Sequence, residues 1–316
     1  MSDPRPIGVF DSGVGGLTVL REIFRRSPDE ATIYLGDNAR TPYGTRSDAE
    51  VRAFSTEALD ALAERDVKAI VVACNTSTAV ALGDFRRRYD LPILGVVRPG
   101  AVTAALTTRN RRVGVIATPA TVRSHAYFAA IKDENPAVEV YEHATPAFVP
   151  LVEAGRIGGP DVEAIVAESL APLLGERDEA GEFVFPLPPS ARIDTLLLGC
   201  THYPLLRPVI AAIAGERVAI VDSATATASA LVELLAINGL EAPGTTGGTD
   251  ADAGAADDLR SDEDASPPSH VQLTTGDVDA FRAVAERIFG EAFPDVGSVE
   301  VAAAASDRVA APGGAR

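Results

Sequence analysis

The 316-residue chain contains two cysteines, and they occur in matched settings. Cys74 follows the run AIVVA and Cys200 follows TLLLG, so each comes after a short apolar stretch that ends in a small residue. Hydroxyl, amide and imidazole groups come next: Asn75, Thr76, Ser77 and Thr78 in one case, Thr201 and His202 in the other. Buried inert thiols are the bland alternative, because free cysteine is among the most buried residue types. Two strand-end placements with polar turns argue against it. A pair of opposed thiols can take a proton from one face of an α-carbon and deliver one to the other. With a reference pKa of ~8.5, a thiol can reach either protonation state near neutrality, where general acid–base catalysis is most effective.

Other polar turns could hold the substrate of such a reaction. Asp11-Ser12-Gly13-Val14-Gly15-Gly16 follows the first apolar run. It does not meet the G-x-G-x-x-G pattern, and no Walker sequence follows. The turn instead suits a carboxylate held by backbone N–H groups and the Ser12 hydroxyl at a helix N-terminus. Asp11 then faces the site, available to a substrate ammonium or to a thiol. The segment Gly36–Gly44, which includes Asp37 and Tyr43, is a second turn too polar for a simple connection. His202 stands two residues from Cys200, whereas His125 and His143 fall on element surfaces and His270 in a linker.

Elements that alternate between β-branched runs and amphipathic stretches must position these groups, which predicts an α/β fold with mostly parallel sheets. Strands are expected at 6–10, 32–35, 69–73, 93–97, 113–117, 138–142, 195–199, 218–221 and 271–274. Ser47 and Glu50 form a capping box before a helix. Thr118-Pro119 places a cap before a first-turn proline. A helix is expected over 277–289. IGVFDSG resembles VGVIATP, and AIVVACNTST resembles TLLLGCTHYP, so two similar α/β halves would each present one cysteine. Residues 241–270 are rich in Asp, Glu, Gly and Ala without aromatics, the composition of a disordered acidic insertion. The stretch 175–192, with its PLPP, is expected to be a surface loop.

Composition excludes several classes. Hydrophobic residues make up 46% and charged residues 23%, the balance of a globular protein. A formal net charge of −17 argues against nucleic acid as a partner. No apolar run is long enough for a membrane helix, and the first residues lack a secretory pattern, so a cytoplasmic location is expected. C-x-x-C is absent, C-x-H alone is weak evidence for zinc, and no G-x-S-x-G elbow occurs. The only lysines, Lys68 and Lys132, look solvated, which disfavours a pyridoxal Schiff base and points to a reaction without a cofactor.

Together, FDSGVGGLTVL, YLGDNARTPYG, VVACNTSTA, GVIATPATV, LLLGCTHYPLL, VDSA and TTGDVDAF resemble glutamate racemase, in family order from about Ile7 to Phe289. The resemblance implies cofactor-independent interconversion of L- and D-glutamate, supplying D-glutamate for bacterial peptidoglycan, in a cytoplasmic homodimer. It implies that Cys74 deprotonates D-glutamate and Cys200 L-glutamate, with Asp11 and His202 assisting and Glu153 and Asp37 as further helpers. Substrate contacts map to Asp11, Ser12, Tyr43, Gly44, Asn75, Thr76, Thr201 and His202, with Thr118 and Thr121 as additions. The implied architecture is two pseudo-symmetric α/β domains, residues 1–98 plus 208–316 and 99–207, with the site between them. Departures are Ser77-Thr78 where the family commonly has Ala-Ser, Arg98 in the GVVRPG turn, and the acidic insertion. A racemase of the same superfamily acting on aspartate or another amino acid, and a non-catalytic amino-acid-binding protein, are the rival readings.

Overall fold

The computed structural model describes residues 2–177, 183–184, 192–244, 268–290, 293 and 296–301. Most of the acidic insertion and of the expected loop at 175–192 therefore lies outside the described residues. In the latter, Glu176–Arg177 (β7) and Phe183–Val184 (β8) pair antiparallel, an addition to the loop reading.

The chain begins with Ile7–Asp11 (β1), Leu17–Arg26 (α1) and Thr32–Gly36 (β2), followed by Asp48–Ala63 (α2), Ala69–Val72 (β3), Asn75–Arg88 (α3) and Ile93–Gly95 (β4). It continues through Val97–Thr107 (α4), Arg112–Ala117 (β5), Pro119–Ser124 (α5), Ala126–Glu134 (α6), Glu139–Ala144 (β6), Phe148–Glu153 (α7) and Pro160–Leu174 (α8). Then come Thr195–Gly199 (β9), Arg207–Ala214 (α9), Ala219–Asp222 (β10), Ser223–Asn238 (α10), His270–Thr274 (β11), Val278–Phe289 (α11) and Val296–Ser298 (β12).

Beside the β7–β8 pair, the described residues form two larger sheets, each parallel throughout. One has six strands in the order β12-β11-β2-β1-β3-β4, the other four in the order β10-β9-β5-β6. Read from β2 and from β6, both sheets share one core order: β2-β1-β3-β4 matches β6-β5-β9-β10. The equivalent strands are the ones whose sequences echo each other, β1 with β5 and β3 with β9. Strand β10 lies beyond the 207/208 boundary expected from sequence, yet it pairs with β9 in the smaller sheet.

Successive strand residues point to opposite faces, and helices cover both. On the larger sheet, Ile7, Val9, Ala69 and Val71 pack with α1, α10 and α11. Phe10, Leu35, Ile70 and Val72 pack with α2 and α3. The smaller sheet divides likewise, Ile116, Leu196 and Leu198 on one face and Val113, Val115 and Leu197 on the other.

Three local expectations are corrected. β4 stops at Gly95, and Arg98 stands in the first turn of α4 rather than in a loop. Pro99 and Gly100 read as a turn, but a first-turn proline removes only an N–H that has no intrahelical partner. His270 opens β11 and belongs to no linker; its Nδ1 meets Thr32 Oγ1 at 3.0 Å, and its ring lies 4.1 Å from that of Phe24. Lys68 is not solvated. It is 1% exposed, pairs with Glu30 at 2.5 Å and donates to the Asp3 carbonyl.

Candidate active site

Strand order reverses direction at β1/β3 in the larger sheet and at β5/β9 in the smaller. Such switch points open crevices at the carboxyl ends of the strands. Cys74 follows β3 and Cys200 follows β9, so the thiols occupy equivalent places in the two halves. Both are free and buried, and both line one small cavity.

The cavity gathers Ser12, Tyr43, Gly44, Asn75, Thr76, Thr201 and His202 around the cysteines, as expected from sequence, together with Thr118. Thr41, Pro42 and Val149 also line it and were missed. Thr41 and Pro42 sit in the polar turn already singled out. Val149 carries no sequence signal, since an aliphatic residue on a short helix reads as core. Asp11, Asp37, Thr121 and Glu153 stand behind the lining and act on it through other groups.

Around Cys74, local structure sets the thiol's contacts. It is the N-cap of α3, so the Ser77 N–H points at Sγ at 3.4 Å. The thiol donates to Ser12 Oγ at 3.4 Å. Burial, with the Asp11 charge adding to it, pushes this thiol up to about 11. Cys200 has a different neighbour: its Sγ lies 3.8 Å from His202 Nδ1, and His202 Nε2 lies 2.6 Å from Glu153 Oε1. Burial opposes the imidazolium, but the bonds and charges of Cys200 and Glu153 outweigh it and hold His202 well above the usual imidazole range.

Asp11 joins the two environments. It is fully buried, accepts from the Gly13 N–H at 2.9 Å and from Thr201 Oγ1 at 3.1 Å. Burial raises its carboxyl, partly offset by the His202 charge and the N–H groups of Gly16 and Gly13. The glycines of this turn serve close approach: a Cβ at Gly15 would stand 2.5 Å from both His202 Nδ1 and Thr201 Oγ1. Asp37 is not among the residues that line the cavity. It accepts from the Tyr43 hydroxyl, from Arg40 Nε at 2.6 Å and from Thr275 Oγ1 at 2.7 Å, so it holds the Tyr43 turn. Thr76, Thr118 and Thr121 form a hydroxyl triangle, with Thr76 to Thr118 at 2.9 Å and Thr118 to Thr121 at 3.0 Å.

No cluster of three or more His, Cys, Asp and Glu side chains suited to a metal occurs among the described residues. Among them, too, no helix is long and apolar enough to cross a membrane. Lys68 precedes β3 whereas Cys74 follows it, so the buried lysine lies at the opposite end of that strand from the cavity.

Comparison with known proteins adds an independent line. A glutamate racemase of Shouchella clausii is 49% identical over 231 residues, covering 73% of this chain and 78% of that protein. The crystal structure of a glutamate racemase isoform from Bacillus anthracis superposes with a TM-score of 0.79 at 37% identity, covering 94% of this chain and 98% of that one. That of the Francisella tularensis glutamate racemase, solved with D-glutamate, gives 0.76 at 32% identity over 95% and 98% of the two chains. The family described as Asp/Glu/Hydantoin racemase matches residues 7–231, and the chain belongs to it.

Proposed function

We propose that the protein interconverts L- and D-glutamate without a cofactor, using Cys74 and Cys200 as paired acid and base. The observation that carries this reading is the placement of two thiols, from equivalent ends of two like sheets, on one hydroxyl-rich cavity. Membership of the racemase family and the D-glutamate held by the Francisella tularensis relative support glutamate as substrate.

In the L-to-D direction the Cys200 thiolate takes the α-proton. Cys74, whose environment favours the thiol, gives its proton to the opposite face. Product formation leaves Cys74 as thiolate and Cys200 as thiol, the arrangement that D-glutamate requires for the reverse reaction. His202, kept cationic by Glu153, presents an N–H to the Cys200 sulfur. Asp11, behind the lining, is suited to orient Thr201, whose hydroxyl donates to it. The hydroxyls of Ser12, Tyr43, Thr76, Thr118 and Thr201, with Asn75 and the backbone at Gly44 and the start of α3, suit its two carboxylates.

The same reading includes two domains, one per sheet, a homodimer, and a cytoplasmic role in supplying D-glutamate for peptidoglycan. The pairing of β10 with β9 supports drawing the domain boundary after Asp222 in this reading.

The test incubates L-glutamate with the purified chain in deuterated water without pyridoxal phosphate. α-Deuterated D-glutamate is the expected product, and Cys74→Ser or Cys200→Ser should lower the rate by about a thousandfold or more. Folded protein that exchanges neither enantiomer would sink the proposal.

A further inference from the structure

Tyr127 is a fully buried side chain on α6 that the reaction scheme does not use. Its ring lies against the turn that carries one thiol: a Cβ added at Gly199, the residue before Cys200, would meet Tyr127 Cε2 at 2.8 Å. Its hydroxyl reaches the turn that carries the other, where Asn75 Nδ2, the residue after Cys74, donates to it at 2.6 Å. The hydroxyl's remaining partner is Ser223 Oγ at 3.0 Å, at the first residue of α10. These three residues belong to three separate parts of the fold. Asn75 begins a helix of the larger sheet, Tyr127 packs in the core of the smaller one, and Ser223 follows β10, where the chain leaves the smaller sheet.

We propose that Tyr127 is a positioning residue that registers the two cysteine-bearing turns and fixes the Asn75 amide for substrate binding. The physical basis is a buried amide with little freedom. With one N–H committed to Tyr127, the Asn75 side chain cannot rotate without leaving the buried tyrosine hydroxyl short of a partner, which is costly away from water. Asn75 lines the cavity, and its orientation is therefore set from the other half of the molecule. Gly199 permits this arrangement because any larger residue would displace the ring from beneath the turn.

The inference rests on the racemase reading, and the experiment separates the two. Tyr127→Phe keeps the ring on Gly199 and removes only the hydroxyl. Glutamate KM should rise about 5- to 20-fold for both enantiomers, with kcat changed less than about threefold. Adding Tyr127→Phe to Asn75→Ala should raise KM by less than about twofold further, because both changes remove one interaction. Ser223→Ala should give a smaller rise of the same kind. Direct titration of glutamate into the Cys74→Ser protein checks the binding arm without turnover. An unchanged KM and affinity in Tyr127→Phe would overturn the proposal, as would an effect fully additive with Asn75→Ala. Failure of the unsubstituted protein to bind or turn over glutamate would instead defeat the racemase reading.

Discussion

Two thiols of one chemical type sit in opposite electrical surroundings. Cys74 shares its burial with the Asp11 carboxylate, which favours the neutral thiol. Cys200 has an imidazole neighbour backed by Glu153. Under the proposed reaction one thiol must start as acid and the other as base, and the two turns give them different partners. The His202 pair can be tested through its pH dependence. His202 is raised in the folded protein, so its favourable pairing is present below the unfolded imidazole value and lost as pH rises through the folded one. Glu153→Gln removes an anion that favours the cation, so the folded value must fall. The alkaline limb of kcat/KM that reports His202 is expected to move to lower pH by about one unit or more. A limb that stays in place, or moves upward, would show that Glu153 does not act on His202.

Elements were legible in the sequence where their signals were local. Ser47 caps α2, accepting from the Glu50 N–H while the Glu50 carboxylate accepts from the Ser47 N–H, as the spacing predicts. Thr118 and Pro119 open α5 in the same readable way. The cysteine-bearing turns could be found because each follows a buried strand. What failed was whatever depended on a distant partner. Lys68 stands before β3 in a polar-looking context, and nothing nearby in sequence announces Glu30, whose other carboxylate oxygen accepts from the Ala242 N–H at 2.9 Å. The Thr275 hydroxyl on Asp37 is likewise a partner from far along the chain, whereas Arg40 and Tyr43 come from Asp37's own turn. These two kinds of contact differ in energetic weight. Ser47→Ala should lower unfolding free energy by about 1 kcal/mol. Glu30→Ala, which strands a buried ammonium, should cost about 3–5 kcal/mol. Urea titrations of both variants check the ranking, and equal losses would contradict it.

At the scale of the whole molecule, the repeated strand order explains why one cavity holds two thiols. Each half contributes a switch point, a thiol after its third core strand, and a polar turn after its first: Asp11-Ser12 after β1, Thr118 after β5. Neither half alone encloses the cavity, whose walls come from Ser12, Tyr43 and Cys74 on one side and Thr118, Cys200 and His202 on the other. A substrate bound there contacts both halves, so it should stabilise the entire chain and not one sheet. Ligand at 100 times its dissociation constant adds about 2.7 kcal/mol. For a chain of 316 residues that corresponds to a rise in Tm of about 4 °C, given the usual unfolding entropy per residue. Calorimetry with saturating L- or D-glutamate is expected to show the upward shift across the whole transition. L- and D-aspartate, one methylene shorter, should shift it less at equal concentration if the site is built for glutamate. A larger shift with aspartate would reassign the substrate while leaving the two-thiol site intact. A shift confined to part of the transition would show that the ligand contacts only one half.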